Sequence, residues 1–166
     1  MKRIVLLPFL AILLLLPSLT FPISRDDLNK LFDLNITIKT LDLSLRENRT
    51  EKIDKSKFVL LNGAVSSIIV LNSKRDSYEV VLEIISGEWI GTEDVRSYRV
   101  YVDFKGSKYY SMIPRRKPRH PKGNEILRNT GVMIIARILQ PVIPPGAQSE
   151  NDKAWFLEGI YIRKIY

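Results

Sequence analysis

The chain contains no cysteine, and this absence removes several classes of chemistry. A disulfide framework, a thiolate metal site and a cysteine nucleophile are excluded, and so is the acylated cysteine of a bacterial lipoprotein. There is also only one histidine, His120, and it lies in a proline-rich stretch that cannot hold partner residues in place. A metal-binding or general-base role for His120 is therefore not expected. We expect no cofactor and no metal site.

Sequence motifs of the common enzyme classes are missing as well. The chain has no glycine-rich phosphate loop, no nucleophile elbow and no zinc-ligand spacing. Glu88 together with Glu93 or Asp94 could be drawn as a glycosidase pair, but nothing in the sequence fixes the distance between these carboxylates. The sequence predicts a protein that is not an enzyme, and a carboxylate-dependent enzyme is the least favoured alternative.

Long hydrophobic runs are absent except at the N-terminus. Lys2 and Arg3 precede an apolar stretch from Ile4 to Leu16, a pattern typical of a secretory signal peptide, and we assign residues 1–23 to it. The alternative is an uncleaved anchor, because residues 4–23 carry no charge and approach the roughly 20 residues that span a bilayer. In that case residues 4–23 would be the membrane contact. Either interpretation predicts an extracytoplasmic protein, periplasmic or secreted.

Charge of one sign is in excess. Lys and Arg number 26 against 18 Asp and Glu, which gives a formal net charge of +8. Such an excess favours loose attraction to phosphates, anionic lipids or acidic polysaccharides.

The plainest pattern in the chain is an alternation of apolar and polar residues from Tyr78 to Phe104. It predicts a β-hairpin in which each strand has one apolar face. Parity suggests a register that places Ile84 opposite Tyr98 and Glu83 opposite Arg99. The connection from Ser86 to Ser97 contains Trp89, for which two interpretations stand: an exposed stacking platform, or a side chain that covers the open end of the fold together with Ile90.

Further elements follow from the same kind of pattern. Residues 24–57 are expected to form a short helix (24–33), a strand (36–45) and a polar linker, and residues 58–166 to form the main domain. In that domain we predict strands at 58–71, 132–139 and 154–166, with bends at Gly63 and Gly159 and a short helix at 124–129.

This order of elements resembles the OB fold, a five-stranded partly open barrel whose third and fourth strands are commonly connected through a helix. The resemblance implies an all-β protein with a small antiparallel barrel of five to six strands. A β-sandwich that adds the strand at 36–45 is the alternative.

The most basic stretch of the chain is the segment 114–122, with five cationic side chains and three prolines. Proline excludes a helix or a central strand there and favours an extended, solvated backbone. A basic strip beside aromatic rings could hold phosphates or acidic sugars, whereas the alternative is a loop that only aids solubility. The candidate binding residues are Arg115, Arg116, Lys117, Arg119, Lys122, Tyr109, Tyr110 and Trp89.

These observations lead to a functional expectation. We expect an exported, non-catalytic binding or adaptor module of the cell envelope that holds an anionic component or a protein partner through the basic segment. Because an exported chain rarely meets nucleic acid, nucleic acid is not expected as a partner. The alternative is a structural subunit of an envelope assembly. Asn35 and Asn48 lie in glycosylation acceptor patterns, which matter only in a host that glycosylates secreted chains.

Overall fold

A computed structural model describes residues 24–116, 118–120, 123–144 and 152–165 of the chain. The predicted signal peptide or anchor, residues 1–23, lies outside the described residues, as do Lys117 and Lys122. The elements, in chain order, are α1 (Arg25–Leu31), β1 (Phe32–Asp33), α2 (Ile38–Arg46), β2 (Phe58–Asn72), β3 (Glu79–Ile90), β4 (Asp94–Lys105), α3 (Lys108–Met112), β5 (Gly131–Val142) and β6 (Ala154–Lys164).

Five of the strands close into a barrel. The order β2-β3-β4-β6-β5 returns to β2 through a β2–β5 pairing, and β1 adds a short parallel strand to β2. All barrel pairs are antiparallel except β4 with β6. The predicted OB-like barrel is therefore confirmed, and closure of the sheet rules out the β-sandwich.

Strand β2 is long because it serves two neighbours in turn. Its first half pairs with β5 and its second half with β3, and the change of partner occurs at Ala64. Gly63 lies beside this point, where an added Cβ would come within 2.7 Å of the Ile85 carbonyl oxygen. Only glycine permits this approach, so the predicted bend at Gly63 has a packing cause. Gly159 similarly leaves room for the Phe104 ring and lies at a register shift in β6.

One end of the barrel is closed by α2. Ile38 and Leu41 of this helix are buried in the core, and the indole nitrogen of buried Trp155 donates to the Leu41 carbonyl oxygen and to Ser44 Oγ, both at 3.0 Å. A capping box between Thr37 and Thr40 starts the helix. The predicted strand at 36–45 is therefore wrong.

The opposite end of the barrel is closed by α3 and the chain that follows it. Tyr109 packs on Phe104 with ring centroids 5.0 Å apart, and Ile113 and Ile126 are fully buried. The Tyr78 hydroxyl donates to the Ile113 carbonyl oxygen at 2.6 Å and so ties this cap to the start of β3. The short helix between the third and fourth barrel strands thus lies at 108–112, and the predicted helix at 124–129 is wrong.

The β3–β4 hairpin differs from the predicted one in register and in length. Ile84 pairs with Val100, and Glu83 pairs with Tyr101. This is a shift of two residues, which keeps every side chain on its predicted face because strand side chains alternate with period two. The ladder runs to the pair Ile90 and Asp94, so most of the predicted loop at 86–97 is strand.

Candidate functional site

The outer face of the β3–β4 hairpin is the surface of greatest chemical interest. Its core-facing side carries Val80, Leu82 and Ile84 on β3 and Val100, Val102 and Phe104 on β4, all fully buried. The residues between them point away from the core. We call this outward surface the ribbon face; its residues are Glu79, Val81, Glu83, Ile85, Gly87 and Trp89 on β3, and Val95, Ser97, Arg99, Tyr101, Asp103 and Lys105 on β4.

Trp89 lies at the far end of the ribbon face. Its side chain is 71% exposed and stands opposite Val95, which is exposed too. The interpretation that Trp89 and Ile90 cover the barrel end is wrong, because α2 and Trp155 close that end instead. Large aromatic side chains are mostly buried, so an indole held in solvent at the end of a paired hairpin is an unusual surface feature.

An apolar cluster crosses the middle of the ribbon face. Val81 and Tyr101 pack there with Ala154, and the partly buried side chains of Ile69 and Phe156 extend the cluster onto β2 and β6. The cluster lies on the outside of the barrel, separate from the core. The barrel therefore has an apolar and aromatic strip on a surface that also carries charge.

Tyr101 is held in that strip by both burial and a hydrogen bond. It is 8% exposed, and its hydroxyl donates to Glu83 Oε1 at 3.0 Å. Burial, followed by the negative charge of Glu83, raises the pKa of Tyr101 to about 12. The ring is thus fixed in its neutral form against its cross-strand neighbour.

Charges on the ribbon face are arranged in pairs. Lys105 Nζ lies 2.9 Å from Glu79 and 3.1 Å from Asp103, and Arg99 lies 3.7 Å from Asp152. On the neighbouring strands Arg137 pairs with Glu158 at 3.3 Å. The cations are held by carboxylates while their side chains stay substantially exposed, so they can still reach an anionic ligand.

The hairpin is fastened to the α2 cap at its root. Lys39 Nζ lies 2.7 Å from both oxygens of Glu88, and the Tyr98 hydroxyl donates to Glu88 Oε2 at 2.8 Å. The Lys39 and Tyr98 hydrogen bonds lower the pKa of Glu88. This network fixes the direction in which the hairpin projects from the barrel.

The structure separates the candidate residues that the sequence grouped together. Arg115, Arg116 and Arg119 are exposed and form no ion pair with any described residue. Tyr110 is 44% exposed and packs edge-on against Tyr78. Tyr109 is 2% exposed, and its hydroxyl donates to the Ile160 carbonyl oxygen, so its assignment as a binding residue is wrong: it is a core residue.

Trp89 and the basic segment lie at opposite ends of the hairpin. The basic segment begins next to Ile113, which is bonded to Tyr78 at the start of β3, whereas Trp89 is at the end of β3. Sequence reasoning missed the residues between them, Tyr101 and Phe156 above all. The sequence shows that they alternate with the apolar residues Val100, Val102 and Leu157. Only the pairing of β4 with β6 shows that Tyr101 and Phe156 lie side by side on the same outer surface.

A polar groove adjoins the ribbon face. It has a volume of about 900 Å³ and lies between the end of α2 and the ribbon face, with Arg46, Asn48 and Arg99 among its lining residues. No group of three or more His, Asp or Glu residues in the described part of the chain could hold a metal ion. None of the described helices is both long and apolar enough to cross a membrane.

Comparison with known proteins finds matches among solved structures only. No protein-family model matches the chain, and no curated protein matches it in sequence. Solved structures do: the small single-stranded DNA-binding protein of Streptomyces coelicolor matches 65% of this chain and 91% of its own at 11% identity and a TM-score of 0.39. Plasmodium falciparum SSB in complex with ssDNA matches 66% and 94% at 9% identity and a TM-score of 0.41. The N-terminal domain of PriB from Thermoanaerobacter tencongensis matches 66% and 96% at 8% identity and a TM-score of 0.39.

By its own topology the barrel is OB-like: five strands close into a barrel, and a short helix lies between the third and the fourth. At these identities the likeness concerns the fold alone. The expectation of an exported envelope adaptor with an anionic envelope partner is nevertheless corrected, because the matching solved structures include a single-stranded DNA-binding protein and an SSB in complex with ssDNA. The exclusion of nucleic acid as a partner is corrected for the same reason. That residues 1–23 direct export stays a prediction.

Proposed function

We propose that this chain is a non-catalytic module that binds single-stranded nucleic acid along the ribbon face. The observation that carries the proposal is the exposed Trp89 on the same face as Arg99 and the Tyr101 cluster. Strands β3 and β4 are the second and third strands of the barrel, and OB folds bind oligonucleotides on that face. Base stacking on aromatic rings with cations beside them is the general chemistry of such sites.

The length of the ribbon face suits a short oligonucleotide. Strand β3 runs from Glu79 to Ile90, and at about 3.3 Å per residue its 12 residues extend roughly 36 Å. Sites on OB folds take about 4 to 16 nucleotides. One strand of nucleic acid could therefore contact both Trp89 and the opposite end of the hairpin.

Cations without ion partners among the described residues lie near that opposite end. The turn before β3 carries Lys74 and Arg75, which are exposed, and the basic segment starts beside Tyr78. We propose that Arg115, Arg116 and Arg119 contact phosphates as the strand leaves the ribbon face. Lys117 and Lys122 belong to the same segment in sequence and add to its charge.

The acidic residues of the ribbon face limit the affinity. Glu79, Glu83 and Asp103 would repel phosphates that pass close to them, and the single positive charge of Lys105, which pairs with both Glu79 and Asp103, offsets only part of this repulsion. Stacking on apolar and aromatic surface should therefore contribute much of the binding free energy in the middle of the face. Phosphate contacts should concentrate at its ends.

Trp89 fluorescence provides the direct test. The chain has two tryptophans, and Trp155 is fully buried, so quenching by an oligonucleotide reports on Trp89. We expect a thymidine 16-mer to quench the red-shifted part of the emission. We also expect Trp89→Ala to weaken binding about tenfold in fluorescence anisotropy, since stacking contributes about 1 to 3 kcal/mol per base.

Matched variants separate stacking from general damage. Trp89→Phe keeps an aromatic ring and should retain most of the affinity. Tyr161→Ala removes an exposed aromatic ring on the β5–β6 pair, away from the ribbon face, and should change affinity less than about twofold. The proposal is wrong if Trp89→Ala binds as tightly as the unchanged protein, or if no single-stranded oligonucleotide binds at low salt.

A further inference from the structure

An apolar row crosses the outside of the barrel on strands β2, β5 and β6. Leu60 pairs with Ile135, and Ile135 pairs with Tyr161. Their sequence neighbours Ile134 and Ile162 are buried in the core, so the row points outward, because side chains alternate along a strand. Tyr161 is 46% exposed, and the other two residues of the row are half-buried. Contiguous apolar surface that stays exposed is a feature of interaction sites.

Charged residues of opposite sign flank this row on β6. Glu158 lies on one side of Tyr161 and Arg163 on the other, and both are exposed and point outward. Arg163 forms no ion pair with any described residue, whereas Glu158 lies 3.3 Å from Arg137. Met133 of β5 is the cross-strand partner of Arg163. We call this surface the apolar panel; its residues are Leu60, Met133, Ile135, Glu158, Tyr161 and Arg163.

The order of charges on the apolar panel is complementary to that of a second copy. A two-fold axis that runs across the strands, through the apolar row, packs the row of one copy on the same row of the other. Glu158 of each copy then lies opposite Arg163 of the second copy, as an isologous contact requires. An axis along β5 would instead bring Arg137 against Arg137, and like charges in contact oppose association.

We propose that the apolar panel is the contact surface of a homodimer, in which the two apolar rows pack together and two pairs of Glu158 with Arg163 flank them. The panel contains no residue of β3 or β4, so both ribbon faces lie outside the contact. One consequence rests on the proposed function: a long single strand can contact two ribbon faces, and bivalent attachment is tighter than attachment to one.

The size of the apolar panel indicates a weak dimer. With strands about 4.8 Å apart and outward residues about 7 Å apart along each strand, the panel measures roughly 10 by 14 Å. Stable complexes bury about 800 Å² on each partner, so the panel can only be the centre of a small interface. We expect self-association that depends on protein concentration.

Sedimentation velocity without nucleic acid tests the dimer. For the unchanged protein at about 5 to 200 µM, the range suited to a weak interface, the weight-average sedimentation coefficient should rise with concentration from that of a monomer toward that of a dimer. The coefficient of a monomer at every concentration would overturn the inference.

Two charge reversals test the arrangement. Glu158→Lys and Arg163→Glu each place like charges opposite each other, and each variant alone should associate at least about tenfold more weakly. An equimolar mixture of the two variants should associate again, because both flanking contacts of the mixed dimer then join opposite charges. General damage to the fold cannot produce this recovery. A mixture that stays monomeric, or single variants that associate like the unchanged protein, would overturn the inference.

A matched control excludes an effect of net charge. Arg49→Glu makes the same charge change as Arg163→Glu at an exposed residue outside the apolar panel, and it should associate like the unchanged protein. Circular dichroism checks that all variants fold.

Failure of this inference is distinguishable from failure of the proposed function. A monomeric protein whose Trp89 is quenched by oligonucleotides leaves the proposed function standing and overturns only the dimer. A dimer that binds no oligonucleotide supports the contact through the apolar panel and overturns only the proposed function.

Discussion

The two tryptophans of the chain show how far a residue's role depends on where the fold places it. Trp155 is fully buried and donates to α2, whereas Trp89 is exposed at the end of a hairpin. Both follow polar or small residues in sequence and both precede an apolar residue. Composition alone gives no reason to treat them differently, and one is a core residue while the other is the best candidate for stacking.

Tyr101 gives a prediction at the residue scale. Its pKa is raised to about 12 in the folded protein, from an ordinary value of 10.0. The folded state holds this proton more tightly than the unfolded state does, so the resulting stability is present below about pH 10 and is lost as the pH rises toward about 12. We expect the free energy of unfolding of the unchanged protein to fall relative to that of Tyr101→Phe between about pH 10 and 11.5.

Urea titrations at half-unit intervals of pH measure this difference. Lysine side chains also titrate in that range, but they are common to both proteins and cancel in the comparison. Parallel curves for the two proteins would show that Tyr101 ionises as it does in the unfolded chain.

At the scale of elements, the two N-terminal helices differ in how much they contribute to the core. No residue of α1 is buried, whereas α2 places Ile38 and Leu41 in the core and accepts the hydrogen bond from Trp155. The stability of the barrel therefore also depends on residues that precede Phe58. Its core includes a helix that precedes the first barrel strand.

Truncation tests this difference. A chain that begins at residue 36 lacks α1 and β1 and should melt cooperatively, with a free energy of unfolding within about 1 kcal/mol of the longer chain, because surface segments contribute little. A chain that begins at residue 58 lacks α2 as well, exposes Trp155 and the end of the core, and should lose cooperative unfolding, since removing even one large buried side chain costs about 2 to 5 kcal/mol.

Urea denaturation followed by tryptophan emission distinguishes the two chains. Trp155 should emit at short wavelength in the chain from residue 36 and at long wavelength in the chain from residue 58. A cooperative transition in the shorter chain would mean that the barrel is complete without its helical cap.

At the scale of the whole molecule, charge and stacking surface are spatially separate. Arg115, Arg116 and Arg119 of the basic segment form no ion pair with a described residue. They lie near one end of the hairpin, and Trp89 lies at the other. Part of the net charge of +8 is therefore concentrated away from the apolar strip rather than spread over it. This arrangement predicts that salt and aromatic substitutions affect binding independently.

The prediction concerns the salt dependence of oligonucleotide binding. Replacing Arg115, Arg116 and Arg119 by Gln should reduce the slope of log Kd against log salt concentration by about 0.7 for each phosphate that is no longer neutralised, or about 2 in total. Trp89→Ala should leave the slope unchanged while it weakens binding. Anisotropy titrations between about 20 and 300 mM salt measure both, because the effect is large in that range.

A control variant with the same reduction in net charge tests whether the position of the three arginines matters for the salt dependence, or only the net charge of the protein. Arg25, Arg49 and Lys52 are also exposed and precede β2 in the chain, and their triple replacement by Gln removes three charges elsewhere on the molecule. Equal slopes for the two triple variants would show that net charge alone attracts the strand and that the basic segment has no special place.

The sequence predicts an element correctly where its pattern of apolar residues is compatible with only one type of secondary structure. The alternation in β3 and β4 is compatible only with strands. The predicted faces of the hairpin are therefore confirmed, although the predicted register is wrong by two residues. The stretch 36–45 is compatible with two structures. Its apolar residues fit a strand with one break in the alternation, and Ile38, Leu41 and Leu45 also fit one face of a helix. The Thr37–Thr40 capping box was the signal that favoured the helix.

The sequence by itself determined the order of the strands, their inward and outward faces, the bends at Gly63 and Gly159 and the exclusion of cysteine chemistry, because these follow from local periodicity and residue type. Only the tertiary structure decided which tryptophan is exposed, that Tyr109 is a core residue, and that Asp103 keeps an oxygen without a donor. Those properties depend on contacts between residues far apart in the chain, and closure of the barrel creates them.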